Sequence, residues 1–137
     1  MEMGAEDYLI SSCLLGLMAQ RLVRVLCPYC RTPAYPEPQV LNEMGINLQE
    51  GLKVEIYEAQ GCEKCAQTGY RGRTGIYELI LVTDNIKNLI LKKADAGAIK
   101  RKAVEDGMRT LRQDGWEKVK KGITSVAEVL RVTLEER

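Results

Sequence analysis

The chain has 137 residues, 45% of them hydrophobic, with 20 basic side chains against 19 acidic ones and no histidine. That is enough apolar material for one ordinary domain or two small modules, which excludes a wholly disordered chain. The balanced charge gives no electrostatic reason to expect a polyanionic partner, and the missing histidine removes the usual general base and every His-containing zinc site. No basic start followed by an apolar stretch marks a secretory leader, and the longest apolar run, residues 13 to 19, is far short of a membrane span. The chain therefore reads as cytosolic, with reduced thiols.

In chain order, residues 6 to 26 (EDYLISSCLLGLMAQRLVRVL) are expected to form one helix, apolar on most of its circumference with a polar stripe at Gln20, Arg21 and Arg24. Cys13 within it has no partner at ligand spacing and reads as a small buried hydrophobe. Pro28, Pro33, Pro36 and Pro38 end that helix and make 28 to 38 a loop, with a short helix following at 37 to 44. Alternation predicts strands at 52 to 59 and 74 to 82.

From Thr83 the pattern changes to short helices. Thr83 or Asp84 caps one carrying Ile86, Leu89 and Ile90, and Asp95 caps a second that ends at Gly107. Thr110 opens a third, with Leu111, Trp116 and Val119 apolar and Gly122 closing it; Ser125 and Glu128 form a capping-box pattern before a fourth. The expected fold class is α+β and mostly helical. An N-terminal helix spans 1–26, a small metal-binding module with short strands spans 27–82, and a helical bundle spans 83–137.

Cys27, Cys30, Cys62 and Cys65 give two C-x2-C pairs separated by 31 residues. Two residues between cysteines let both thiolates face one side of a tight turn, and two such turns supply four tetrahedral sulfur ligands, a closed structural zinc site. Competing readings are a redox pair, an iron–sulfur cluster and four unrelated buried cysteines. The redox pair usually comes singly in a β-α-β context, and cluster spacings usually bring a third cysteine nearby; neither is present. Four thiolates around a dication leave two negative charges, which Arg24, Arg31, Lys64 and Arg71 are close enough in sequence to offset. In GYRGRTG at 69 to 75, the glycines relieve steric limits where the chain leaves the second pair. Arg71 and Arg73 there are either solvated charges or phosphate readers.

The stretches AQRLVRVLCPYC (19–30), GCEKCAQTGYRGRTGIYEL (61–79) and GMRTLRQDGWEKVKKGITSVAEVLRVT (107–133) resemble the C-terminal part of the ATPases that drive type II secretion and type IV pilus assembly, the likeness running from residue 3 to Thr133. The resemblance implies a zinc-binding tetracysteine module projecting from a RecA-like motor and followed by a small helical subdomain. It implies a hexamer on the inner face of the cytoplasmic membrane, whose partners are neighbouring subunits and an inner-membrane platform protein. No G-x-x-x-x-G-K-[ST] phosphate loop occurs in the sequence, and no histidine stands for the family's His-box. The expectation is a C-terminal fragment whose residues 1–26 are the last helix of the missing motor, inactive alone, with ATP and magnesium bound only by the longer protein. The resemblance also raises Arg73, and more weakly Arg71, as nucleotide contacts there. The rival reading is a free-standing zinc ribbon that binds nucleic acid, against which stand the net charge of +1 and the absence of phenylalanine.

Overall fold

The structure, a computed structural model, describes residues 7–47, 49 and 53–134. Glu6 and Leu52, at the starts of the expected first helix and first strand, lie outside the described residues. The elements are α1 (Asp7–Cys13), β1 (Gly16–Leu26), β2 (Thr32–Ala34), α2 (Pro38–Met44), β3 (Ile56–Glu58), a 3-10 turn (Glu63–Cys65), β4 (Tyr70–Leu81), α3 (Asp84–Leu91), α4 (Ala96–Glu105), α5 (Leu111–Lys120) and α6 (Val126–Thr133). The mostly helical α+β class is as expected.

The single helix over 6 to 26 is not. α1 stops at Cys13, and Gly16–Leu26 is an extended strand that pairs with β4. A continuous apolar run fits a helix and a buried strand equally, so periodicity could not separate them here. Gly16 weakens a helix, Val23 and Val25 favour a strand, and a partner some fifty residues away decides the outcome. Cys13 is exposed rather than buried, its sulfur 3.7 Å from Ser12 Oγ. β4 begins at Tyr70, earlier than expected, so the Gly-Arg run belongs to the strand.

The chain forms two compact units, which cut across the three segments expected: Met1–Ala19 with Glu78–Thr110, and Gln20–Tyr77 with Leu111–Arg137. Each of β1 and β4 passes from one unit into the other. In the first unit, α1 and α4 pack against α3. Ile86, Ile90 and Ala103 form the core, with Ile80, Val82, Ile99 and Met108 around them. The cap signals hold: Thr83 accepts from the Ile86 N–H and Asp95 from the Ala98 N–H.

The second unit holds Cys27, Cys30, Cys62 and Cys65. β2 and β3 pair antiparallel with Thr32 opposite Glu58, Pro33 opposite Tyr57 and Ala34 opposite Ile56. Pro38 opens α2 at a position where its missing N–H costs nothing, and Gly45 closes it at φ 72°. Leu41, Met44 and Ile56 meet Trp116 and Val119 of α5 and Val126 and Val129 of α6 in one core. The four-helix bundle expected from 83 onward is therefore divided, with α3 and α4 in one unit and α5 and α6 in the other.

A four-sulfur metal centre

Strands bring the two cysteine pairs together. β1 ends at Leu26 and delivers Cys27, whose N–H donates to the Gly69 carbonyl at 2.9 Å, one residue before β4 begins. The Leu26 N–H donates to the Ile123 carbonyl at 2.8 Å, fixing this strand end to the turn between α5 and α6. At the first pair the Arg31 N–H returns to the Cys27 carbonyl at 3.1 Å; at the second, the Gln67 N–H returns to the Cys62 carbonyl at 2.8 Å. Each pair thus sits on a hydrogen-bonded turn.

The four Sγ atoms lie within 4.8 Å of one another. The separations are 3.8 Å for Cys27–Cys62, 3.8 Å for Cys30–Cys65 and 3.7 Å for Cys62–Cys65. A zinc ion with Zn–S bonds of about 2.3 Å places its ligands about 3.8 Å apart along a tetrahedral edge, so the set fits. The same distances are far too long for disulfides, and all the cysteines are free. Cys27, Cys30, Cys62 and Cys65 would hold the ion with no coordination position left open, the arrangement of a structural site.

Backbone N–H groups reach two of the sulfurs, Cys30 and Cys65, with different outcomes. The Gly61 N–H reaches Cys30 Sγ at 3.3 Å, while the Cys62 and Gly69 N–H groups reach Cys65 Sγ at 3.2 and 3.1 Å. Burial raises the Cys65 thiol, but the N–H groups of Cys62 and Gly69 outweigh it and bring it down to about 6. Burial also raises Cys30, and its one N–H donor does not offset this, so the thiol stands at about 11. These donors were not singled out in the sequence, although Gly61 before Cys62 and Gly69 four residues after Cys65 are the available signal. Gly69 has φ 85°, and a Cβ there would lie 2.6 Å from the Ala59 Cβ, so the donating geometry requires glycine.

The cations expected around the cluster take various positions. Lys64 Nζ lies 3.9 Å from the Tyr29 ring centroid and the Arg71 guanidinium 5.6 Å from it, both beside the first pair. Arg31 instead stacks at 4.2 Å on Tyr57 and donates to the Gly122 carbonyl at 2.6 Å. Arg24 is turned to Glu128 and stacks on Tyr70 at 4.2 Å. Arg73 is exposed and lines a shallow depression of about 260 Å³ with Arg24, Thr68, Tyr70 and Gly72.

A family model described as type II/IV secretion system protein matches residues 1–131. The type II secretion system ATPase E of Vibrio cholerae is 46% identical over 134 residues, covering 98% of this chain and 26% of that protein. The type IV pilus assembly ATPase PilB of Thermus thermophilus is 42% identical over 134 residues, covering 98% and 15%. The type IV pilus assembly ATPase TfpB of Acinetobacter baylyi is 38% identical over 131 residues, covering 96% and 22%. The chain thus spans between 15% and 26% of the length of these curated relatives. With its tetracysteine cluster and a match running through residues 1–131, the chain belongs to the type II/IV secretion system protein family.

Proposed function

We propose that this chain is the C-terminal part of a hexameric ATPase that powers type II protein secretion or type IV pilus assembly. Its metal module is structural and shapes a surface for neighbouring subunits or an inner-membrane platform protein. The observation that carries this reading is the sulfur cluster at tetrahedral spacing inside a chain whose relatives bear the names of secretion and pilus ATPases. The low share of each relative that is covered supports a part rather than a whole motor. So does the sequence, which has no phosphate loop to cradle a nucleotide. Leu15, Leu17, Met18, Leu79 and Leu81 of the first unit are exposed, an apolar surface suited to cover by the motor portion. The protein then works in the cytoplasm, peripheral to the inner membrane through its partners; no helix among the described residues is long and apolar enough to cross a membrane.

In that longer protein Arg73 contacts nucleotide phosphate, with Arg71 the lesser candidate because it already faces Tyr29. Removing a charge-stabilising donor from a phosphoryl-transfer site costs on the order of a hundredfold in turnover. Arg73→Ala in the longer protein should therefore lower ATP hydrolysis by about that factor with zinc content unchanged, and Arg73→Lys should rescue poorly for want of a two-pronged fork. Wild-type turnover in Arg73→Ala would remove this role.

A further inference from the structure

Beyond the motor reading, the second unit carries a groove that the metal site does not use. Its volume is about 520 Å³, within the range of ligand-binding clefts. Val40, Ile56, Val126 and Leu130 give it apolar walls, and Tyr70 and Ser125 line it with hydroxyls bonded to each other at 2.7 Å. Two carboxylates, Glu37 and Glu58, stand on its border, and no lysine or arginine among the described residues lines it. Glu37 is the N-cap residue of α2, yet its side chain makes no capping bond. Both are exposed, and neither has an ion-pair partner among the described residues.

The groove also includes a sheet edge. Pro33 has no N–H to donate and stands opposite Tyr57, so that pair is the non-hydrogen-bonded one and the Tyr57 N–H and C=O face away from β2. Neither group takes a backbone partner among the described residues. An open strand edge, apolar walls and two carboxylates with no ion-pair partner among the described residues together match one kind of occupant. We infer that this groove docks an extended segment of a partner protein in which aliphatic residues alternate with lysine or arginine. Main-chain bonds to Tyr57 would set its register, aliphatic side chains would fill the groove, and basic ones would face Glu37 and Glu58. The negative rim would also steer basic segments in and acidic ones away.

The test uses the 137-residue chain loaded with zinc and isotopically labelled, titrated with a capped hexapeptide of alternating valine and lysine. A capped hexapeptide of alternating valine and glutamate is the control. The valine–lysine peptide should shift the amide resonances of Tyr57, Glu58 and Ala127, and the control should not. The double variant Glu37→Gln with Glu58→Gln should weaken binding about tenfold, with thermal unfolding and zinc content unchanged. Equal shifts from both peptides, shifts confined to other residues, undiminished binding by the double variant, or no shifts at all would each overturn the proposal. Because none of these readouts depends on ATP hydrolysis, failure here leaves the motor reading untouched.

Discussion

Glu128 holds Arg24 by backbone and side chain at once. Its Oε2 accepts the Arg24 N–H at 2.8 Å, and its Oε1 accepts the Arg24 Nε at 3.0 Å and Nη2 at 2.8 Å. Arg131 adds Nη2 to Oε2 at 2.9 Å and Nε to Oε1 at 3.1 Å. The Glu128 side chain is 2% exposed, one residue from the core contact of Val129, while Arg24 and Arg131 reach it from the solvent side with side chains 46% and 55% exposed. The strand that leads into Cys27 is thereby fastened to α6, since Thr124 also donates to the Arg24 carbonyl at 2.7 Å.

Neutralising this carboxylate should destabilise the second unit. Burial alone would raise the Glu128 carboxyl, but hydrogen bonds from Arg131 and Arg24 outweigh it and lower it from 4.5 to about 2. A folded value below the unfolded one contributes stability above pH 4.5 that is lost as pH falls toward about 2. Glu128→Gln should cost roughly 2–3 kcal/mol near neutral pH in urea unfolding. Its deficit relative to wild type should shrink steadily through the acid window. A deficit that stays constant down to the acid limit would show that the charge is not the source.

Helix α5 meets α6 through a glycine. A Cβ at Gly115 would lie 2.5 Å from Val129 Cγ1 and 2.8 Å from Cγ2, with Val129 itself fully buried. Alanine favours a helix by about 1 kcal/mol over glycine, yet overpacking a core costs about 1–3 kcal/mol, so Gly115→Ala should be neutral to destabilising by about 2 kcal/mol. Pairing it with Val129→Ala should recover part of the helix gain, and the double-mutant cycle measures the coupling. Additive effects would contradict the direct contact.

Gly69→Ala should be worse than Gly115→Ala, because it combines positive φ, a clash with Ala59 and loss of a well-placed donor to Cys65. We expect weaker metal retention in a competition with a colorimetric chelator. Gly115→Ala should retain metal as wild type does.

Much of this was legible in the sequence, and the parts that were not share a cause. The caps at Thr83, Asp95 and Ser125 and the four ligands were readable because each depends on a few residues close in the chain. β1 was not, since an apolar run suits helix or strand until a distant partner chooses. Ser125 and Glu128 have the spacing of a capping box; the Ser125 half forms, with Oγ accepting from the Glu128 N–H at 3.2 Å. The Glu128 carboxylate is drawn instead to Arg24, 104 residues away, a pairing that no local pattern announces. The same applies to Arg31, which sequence proximity assigned to the cysteines and the fold assigns to Gly122 and Tyr57.

The isolated chain should not bind ATP. Titration calorimetry with ATP and magnesium should give only heats of dilution, because no phosphate loop is present in the sequence. Saturable binding in the micromolar range would contradict the assignment of nucleotide binding to the longer protein.

Cys27, Cys30, Cys62 and Cys65 form a site for one structural zinc ion. Such sites contribute roughly 10–16 kcal/mol of apparent folding free energy in small peptides, so a mutant ligand should release the metal and loosen the turns around it. The most direct measurement is elemental analysis of the purified wild-type chain beside Cys62→Ser and Cys13→Ser. We expect close to one zinc per chain in wild type and in Cys13→Ser, whose thiol is exposed and remote in sequence from the cluster, and almost none in Cys62→Ser. Zinc-free wild type, or equal loss of metal from both mutants, would contradict the four-sulfur assignment.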